Sequence, residues 1–303
     1  MDSYNGSEIL SSSLIKSLAR QVGFDFCGMS RVEPLDDTLF GLKDWLSAGG
    51  HAGMSFMEQY VDMRHNPALL VEGAQTVISF LVGYKPSETM VARPRISCYA
   101  YGEDYHIMMK RKMFALMSLL REHYPDFDAK PCVDSVPISD KLWAMKSGLG
   151  WIGRNTLLVN ESLGSYCYIG ELVTTSVVDR YDSPVENRCG DCRRCVDACP
   201  NHAIAPMQSR KCISYNTIEN KDKQLPSDLK SKGYMFGCDC CQDVCPFNVQ
   251  SSSCVTIDKQ RMAMLEQLSG CDKLAFNKFK KTSTLSRITF EQWQRNRLWS
   301  EEN

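Results

Sequence analysis

The 303-residue chain carries 35 Lys+Arg against 36 Asp+Glu, a formal net charge of −1, which excludes a protein that coats nucleic acid or membrane through bulk charge. Hydrophobic residues at 43% and charged residues at 23% match soluble globular domains and exclude disorder of the chain as a whole. No apolar run approaches the ~20 residues that span a bilayer, and the start, MDSYNGSEIL, lacks the basic and apolar stretches of a signal peptide. A cytoplasmic chain with no membrane association is therefore expected.

In chain order, residues 8–22 place Leu10, Leu14, Leu18 and Val22 on one helical stripe, with Ser7 as its cap. Phe24 to Met29 and Val77 to Val82 read as strands, the second apolar enough to be buried. Residues 104–123 read as a helix rich in Met and Leu with a basic face, and Tyr168 to Val178 as another strand. Alternating helix and strand signals predict a mixed sheet covered by helices over 1–182, within an α+β chain. The segment 183–250 has little periodicity and much Cys, Asp, Asn and Pro, so a cofactor must organise it. Residues 251–303 return to helical patterning as a short tail. From Lys273 to Trp299 it holds Lys273, Lys278, Lys280, Lys281, Arg287, Arg295 and Arg297 against Glu291 alone, a net charge of +6.

Nine of the fifteen cysteines lie between Cys189 and Cys245. In a cytosolic chain long enough to bury a core, such clustering reads as metal ligation rather than disulfides. Cys189-x2-Cys192-x2-Cys195-x3-Cys199-Pro200 has the spacing of a bacterial ferredoxin, in which three thiolates hold one cubane and the fourth turns to the other. Cys238-x2-Cys241-x3-Cys245-Pro246 repeats that logic, with Cys212 as its further ligand. Crossing assigns Cys189, Cys192, Cys195 and Cys245 to one 4Fe–4S cluster and Cys199, Cys212, Cys238 and Cys241 to the other. Zinc ribbons also use paired CxxC units, but zinc has no use for the CxxCxxCxxxCP run. Cys240 falls outside the ligand spacing and reads either as a residue supporting the ligands from behind or as one facing the cofactor. Two clusters in one chain imply a redox acceptor in the N-terminal domain. That domain has neither G-x-G-x-x-G after a strand nor a P-loop, which speaks against nicotinamide and ATP sites.

The runs CYAYGEDYH (98–106), Val133-Asp134-Ser135, GLGWIGRNTLL (148–158), RCGDCRRCVDACP (188–200) and GCDCCQDVCPFN (237–248) occur in order over roughly residues 20–250. Together they resemble the epoxyqueuosine reductase family. The resemblance implies a cobalamin-dependent oxidoreductase that deoxygenates epoxyqueuosine in the anticodon loop of tRNA, the last step of queuosine synthesis. It implies base-off cobalamin between an N-terminal cobalamin-binding domain (1–182) and a ferredoxin-like domain (183–250), with Asp134 as proton donor.

The same resemblance places Arg64, Cys98, Leu158, Ser165 and Ile169 near the corrin, along with Asp134; Ser214 and Asp239, which sit beside cluster ligands, and Cys240, which sits between them, are expected to face the cofactor. It also implies an external electron donor of flavodoxin or ferredoxin type, acting on a monomer. Family members generally carry a C-terminal HEAT-like extension, for which 251–303 has room only for a short remnant. Their usual Asp-Thr-Gly is Asp134-Ser135-Val136 here, where Ser keeps the hydroxyl.

Opening an epoxide requires protons, and a carboxyl with a raised pKa can supply one, the role expected of Asp134. The five His show no metal-ligand pairing, and His106 reads as a packing residue. Basic residues of 273–299, with Phe276, Phe279, Trp293 and Trp299, read either as phosphate contacts and base-stacking platforms or as a solvated helix face. Two other classes stay open on sequence: a corrinoid reductive dehalogenase and a non-catalytic iron–sulfur electron carrier.

Overall fold

A computed structural model describes residues 9–36, 41–87, 95–205, 207–251, 255 and 257–302. Helix α1 (Ser12–Gln21) begins after Ser11, whose hydroxyl accepts the Leu14 N–H. It is shorter than the apolar stripe, because Leu10 instead forms a parallel bridge with Val178; Ser7 lies outside the described residues. Strand β1 (Phe26–Arg31) leads through α2 (Leu42–Ser47) and α3 (Val61–His65) to β2 (Thr76–Gly83). After β3 (Arg95–Ile96) come α4 (Tyr105–His123), β4 (Lys130–Cys132) and α5 (Asp140–Lys146). The hairpin of β5 (Trp151–Ile152) and β6 (Leu158–Val159) precedes β7 (Cys167–Thr174).

The central sheet has the order β1-β2-β7-β4, and every pairing in it is antiparallel. This corrects the expected mixed sheet: the long β1–β2 connection returns to the end it left instead of crossing over. Strand β7 also stops at Thr174, short of the predicted Val178. Ile15, Leu18, Met113, Leu116 and Leu120 of α1 and α4 pack on Phe80 and Leu172 on one face. Leu142 and Trp143 of α5 pack on Val77 and Val173 on the other.

The cysteine-rich segment folds as α6 (Arg194–Asp197), α7 (Ile213–Ile218), β8 (Tyr234–Phe236), α8 (Cys240–Asp243) and α9 (Pro246–Gln250). Strand β8 pairs in parallel with β3, so it is stitched to the N-terminal half. The chain ends in α10 (Lys259–Gln267), α11 (Lys273–Lys280) and α12 (Phe290–Glu302). These helices are not an appendage. Phe276, Phe279, Leu285 and Trp293 share one core with Ile96, Tyr101, Met235 and Phe236, and Trp299 packs with Ile213 and Tyr234.

The aromatics read as base-stacking platforms are therefore core residues, each Phe contributing about 1.5–3 kcal/mol by burial. Much of the +6 charge is also engaged. Lys273 pairs with Glu291 at 2.8 Å and Arg287 with Glu219 at 2.8 Å. Arg295 donates to the carbonyls of Asn216, Asn220 and Asp222, and Lys280 to that of Ile288.

Candidate active site

Asp134 lies two residues past β4 at φ 51°, a left-handed conformation unfavourable for a residue with a Cβ. The Ser135 N–H bonds the Val133 carbonyl, which closes a γ-turn with Asp134 at its apex. Such strain persists only where surrounding structure fixes the backbone. Asp134 Oδ2 accepts the Tyr105 hydroxyl at 2.7 Å and lies 3.5 Å from His106 Nε2. On its other side His106 Nδ1 meets Asp104 Oδ1 at 2.6 Å. Asp104 in turn caps α4, accepting the His106 N–H at 3.0 Å.

Burial disfavours the His106 imidazolium, but hydrogen bonds to Asp134 and Asp104 outweigh it and raise the pKa above the usual imidazole value. The Asp134 side chain is 56% exposed. Its pKa falls to about 2, chiefly through the hydrogen bond with His106, with Tyr105 and Arg287 adding to that pull against burial. This runs against the expectation of a raised carboxyl: the hydrogen bonds favour the carboxylate form of Asp134 and the protonated form of His106. Tyr105, pushed up by burial and then by Asp134, stays a hydroxyl donor.

Tyr105 stacks on Tyr168 with ring centroids 4.7 Å apart, and Tyr168 stacks on Tyr84 at 4.5 Å. The stack leads from Asp134 to a cleft of about 410 Å³. Trp45, Tyr84, Tyr99, Leu157 and Met207 give it apolar walls; Ser97, Asn155, Ser214 and Gln242 add hydroxyl and amide groups. Cys212, Cys238 and Cys241 line the same cleft, and no His is among its described lining residues. Broad apolar faces with amide and hydroxyl partners suit a large planar ring bearing amide side chains, so the donor set fits a corrin.

Cys189, Cys192, Cys195 and Cys245 line a separate cavity of about 280 Å³. Among the described residues no group of three or more His, Cys, Asp or Glu is arranged to hold a single metal ion. Four thiols round one cavity instead suit a cubane, in which each thiolate meets a different iron. Cys245 thus stands with three cysteines of the first Cys–Pro motif. Cys199 of that motif lies close enough to Cys212 and Cys241 for its charge to act on both.

The other residues named from sequence divide between site and scaffold. Arg64 is near enough for the charges of Asp140 and Asp134 to act on it, and its guanidinium donates to the Phe56 carbonyl at 3.1 Å. Ser214 lines the cleft, and Cys240 lies beside Cys238. Cys98 is 5% exposed and belongs to the core under the C-terminal helices, while Ser97 and Tyr99 on either side of it face the cleft.

Leu158 points into the core against Leu81 and Leu149, with Ile169 packed beside it; Leu157 is the cleft residue. Ser165 is tied to Asn248 and Gln242, a contact that brings the Asn248 amide against Gly164, where φ is 65° and a Cβ would collide. Asp239 is 2% exposed. Its carboxyl accepts the Ser97 hydroxyl and the Cys98 N–H, and burial raises its pKa to about 6. It joins two parts of the fold rather than facing the cleft. Sequence reading missed Tyr105, His106 and Arg287 as partners of Asp134. The run Asp104-Tyr105-His106 at a helix start carried that signal for the first two.

Residues 64–135 match a family model described as epoxyqueuosine reductase QueG, DUF1730, and residues 188–248 match a 4Fe-4S double cluster binding domain. An epoxyqueuosine reductase of Leadbetterella byssophila is 44% identical over 242 residues, covering 78% of this chain and 80% of the relative. One of Cyclobacterium marinum is 38% identical over 300 residues, covering 94% and 95%. The structure of epoxyqueuosine reductase from Streptococcus thermophilus superposes with a TM-score of 0.83 at 28% identity, over 96% of this chain and 81% of that one. Another, solved with an epoxyqueuosine-modified tRNA-Tyr stem loop, gives 0.81 at 26% identity over 95% and 80%. With these relatives matched along most of its length, the chain belongs to the epoxyqueuosine reductase family.

Proposed function

We propose that this chain reduces epoxyqueuosine to queuosine in a tRNA anticodon loop in the cytoplasm, using two 4Fe–4S clusters, base-off cobalamin and an external donor of flavodoxin or ferredoxin type. The observation that carries this reading is the aromatic stack joining the Asp134–His106–Tyr105 group to the cysteine-lined cleft. One chain holds both thiol rings and Asp134, so the reading needs no second copy.

Loss of the epoxide oxygen as water consumes two electrons and two protons and leaves an alkene. The clusters and the corrin, when bound, supply the electrons; Cys189, Cys192, Cys195 and Cys245 would hold one cluster and Cys199, Cys212, Cys238 and Cys241 the other. The corrin would lie against Tyr84, Tyr99, Leu157 and Ser214. This chain's own residues manage the protons. His106 stores one at Nε2, beside the Asp134 carboxylate, and the Tyr105 hydroxyl fixes that carboxylate's orientation. Substrate that expels water raises the proton affinity of Asp134, so the His106 proton passes through it to the departing oxygen.

Reconstituted protein with cobalamin and a reduced donor should convert an epoxyqueuosine stem loop to the product one oxygen lighter by mass. Equal conversion without cobalamin overturns the reading. So does halide release from aryl halides with the stem loop untouched.

A further inference from the structure

A third carboxyl group stands behind Asp134 and Asp140. Glu171 in β7 is 0% exposed, and alternation along β7 turns it to the α5 face, with Ile169 and Val173. Asp140 is the first residue of α5, the helix packed on that face. Both carboxyl oxygens of Glu171 and Oδ1 of Asp140 are shielded from water and have no hydrogen-bond donor. Two carboxylates so placed cannot both stay ionised; a shared proton removes one charge and supplies the missing donor.

The surrounding charges do not change that outcome. Burial and then the charge of Asp140 push Glu171 well above the usual carboxylate range. Burial and then Asp134 raise Asp140 to about 6, against the contact with Glu171 and then the backbone amides of Asp140 and Asp134. Cys132, opposite Glu171 on β4, keeps its proton, with burial the main cause. The cations whose charge reaches Asp140 are Arg64 and Lys141, which donate to the carbonyls of Phe56 and Thr156. His106 and Arg287 act on Asp134. Proton affinity thus rises inward from Asp134 through Asp140 to Glu171.

We propose that Glu171 carries a proton at neutral pH, shares it with Asp140, and that this buried pair resupplies the proton which Asp134 delivers to the departing oxygen. The proposal rests on the reductase reading above. In each transfer the Glu171 O–H bond breaks as Asp140 is protonated, and Asp140 passes a proton to Asp134. Solvent restores the pair by the reverse route, so the two protons that accompany the two donor-derived electrons come from water. Glu171 and Asp140 are positioning residues in this scheme, since neither touches substrate.

The test is the infrared spectrum of the reconstituted holoenzyme at about pH 7.5, with Glu171→Gln and Asp140→Asn beside it. A protonated-carboxyl C=O band is expected in the unmodified protein and absent in Glu171→Gln. That variant should keep its cluster and corrin absorbance and its KM while kcat falls roughly tenfold or more. No such band in the unmodified protein overturns the proposal, as does a band that survives Glu171→Gln or an unchanged kcat. If neither variant folds, the band in the unmodified protein decides alone. Because that band needs no substrate, its absence is distinct from failure of the reductase reading.

Discussion

Around Asp134 each functional atom is held by another protein atom: the Tyr105 hydroxyl at 2.7 Å, His106 between two carboxylates, and Asp104 as the cap of a 19-residue helix. Around the first cysteine motif little is held. Helix α6 is four residues long with no buried side chain, and Cys192 is exposed. The first region is organised by its own side chains; a segment with so little apolar packing takes order from the metal it ligates. The difference teaches where damage should spread. Losing a ligand should disorder the cysteine segment locally, whereas losing a side chain near Asp134 should change chemistry with the fold intact.

Cys245→Ala is the strongest way to break that contrast. It should remove one of the two clusters, halve the bound iron and abolish turnover, while the far-ultraviolet circular dichroism of the sheet persists. Retention of both clusters would contradict the ring formed with Cys189, Cys192 and Cys195. Trp293→Ala probes the core that unites the C-terminal helices with β3 and β8. Trp293 is 1% exposed, and its indole N–H donates to the Leu268 carbonyl at 3.0 Å. A loss of about 3–5 kcal/mol in chemical denaturation is expected; a loss below ~1 kcal/mol would make these helices an independent appendage.

Smaller effects sharpen the picture. Replacing Lys278, Lys280 and Lys281 together by Ala should flatten the dependence of log K on log salt for tRNA binding by about 0.7–0.9 for each phosphate contact removed. Lys278 and Lys281 are exposed, and Lys280 donates to Ile288 at 3.2 Å, so two contacts at most are anticipated. An unaltered slope would place the tRNA grip elsewhere. The smallest effect is on pH-dependent stability. The folded-state pKa of Glu171 is raised, so its contribution is complete below the ordinary carboxylate range and is lost as pH rises through the raised value. The melting temperature of the unmodified protein should therefore fall more than that of Glu171→Gln as pH rises above the ordinary carboxylate range. Parallel curves would show Glu171 already ionised.

The cysteine motifs were legible in the sequence because ligand spacing is local: three thiols within seven residues must meet at one loop. Strands such as 76–83 were legible for a similar reason, as an apolar β-branched run. The charge state of Asp134 was not. It depends on Tyr105, 29 residues away in sequence, and on His106 beside it, both delivered by a helix whose direction only the packed sheet fixes. The C-terminal aromatics were equally ambiguous, since an apolar helical stripe looks the same whether it meets bases or a core. Their partners, Ile96 and Phe236, lie in distant parts of the chain. Asp239 was read as a cofactor neighbour because it follows a ligand, yet its carboxyl closes on Ser97 and Cys98.

The central claim is that the proton for the departing oxygen resides on His106 and is handed over by Asp134. The direct measurement is the pH dependence of single-turnover conversion of an epoxyqueuosine stem loop by the unmodified protein and by Asp134→Asn. The raised His106 pKa places the alkaline fall in rate above the ordinary imidazole range. Asp134→Asn removes both the titratable group and the charge that stabilises the imidazolium. The rate should therefore drop on the order of 10²–10⁴-fold, and the alkaline limb should move to lower pH, with cluster and corrin absorbance unchanged. Full activity in the variant, or an alkaline limb that does not move, would contradict the account.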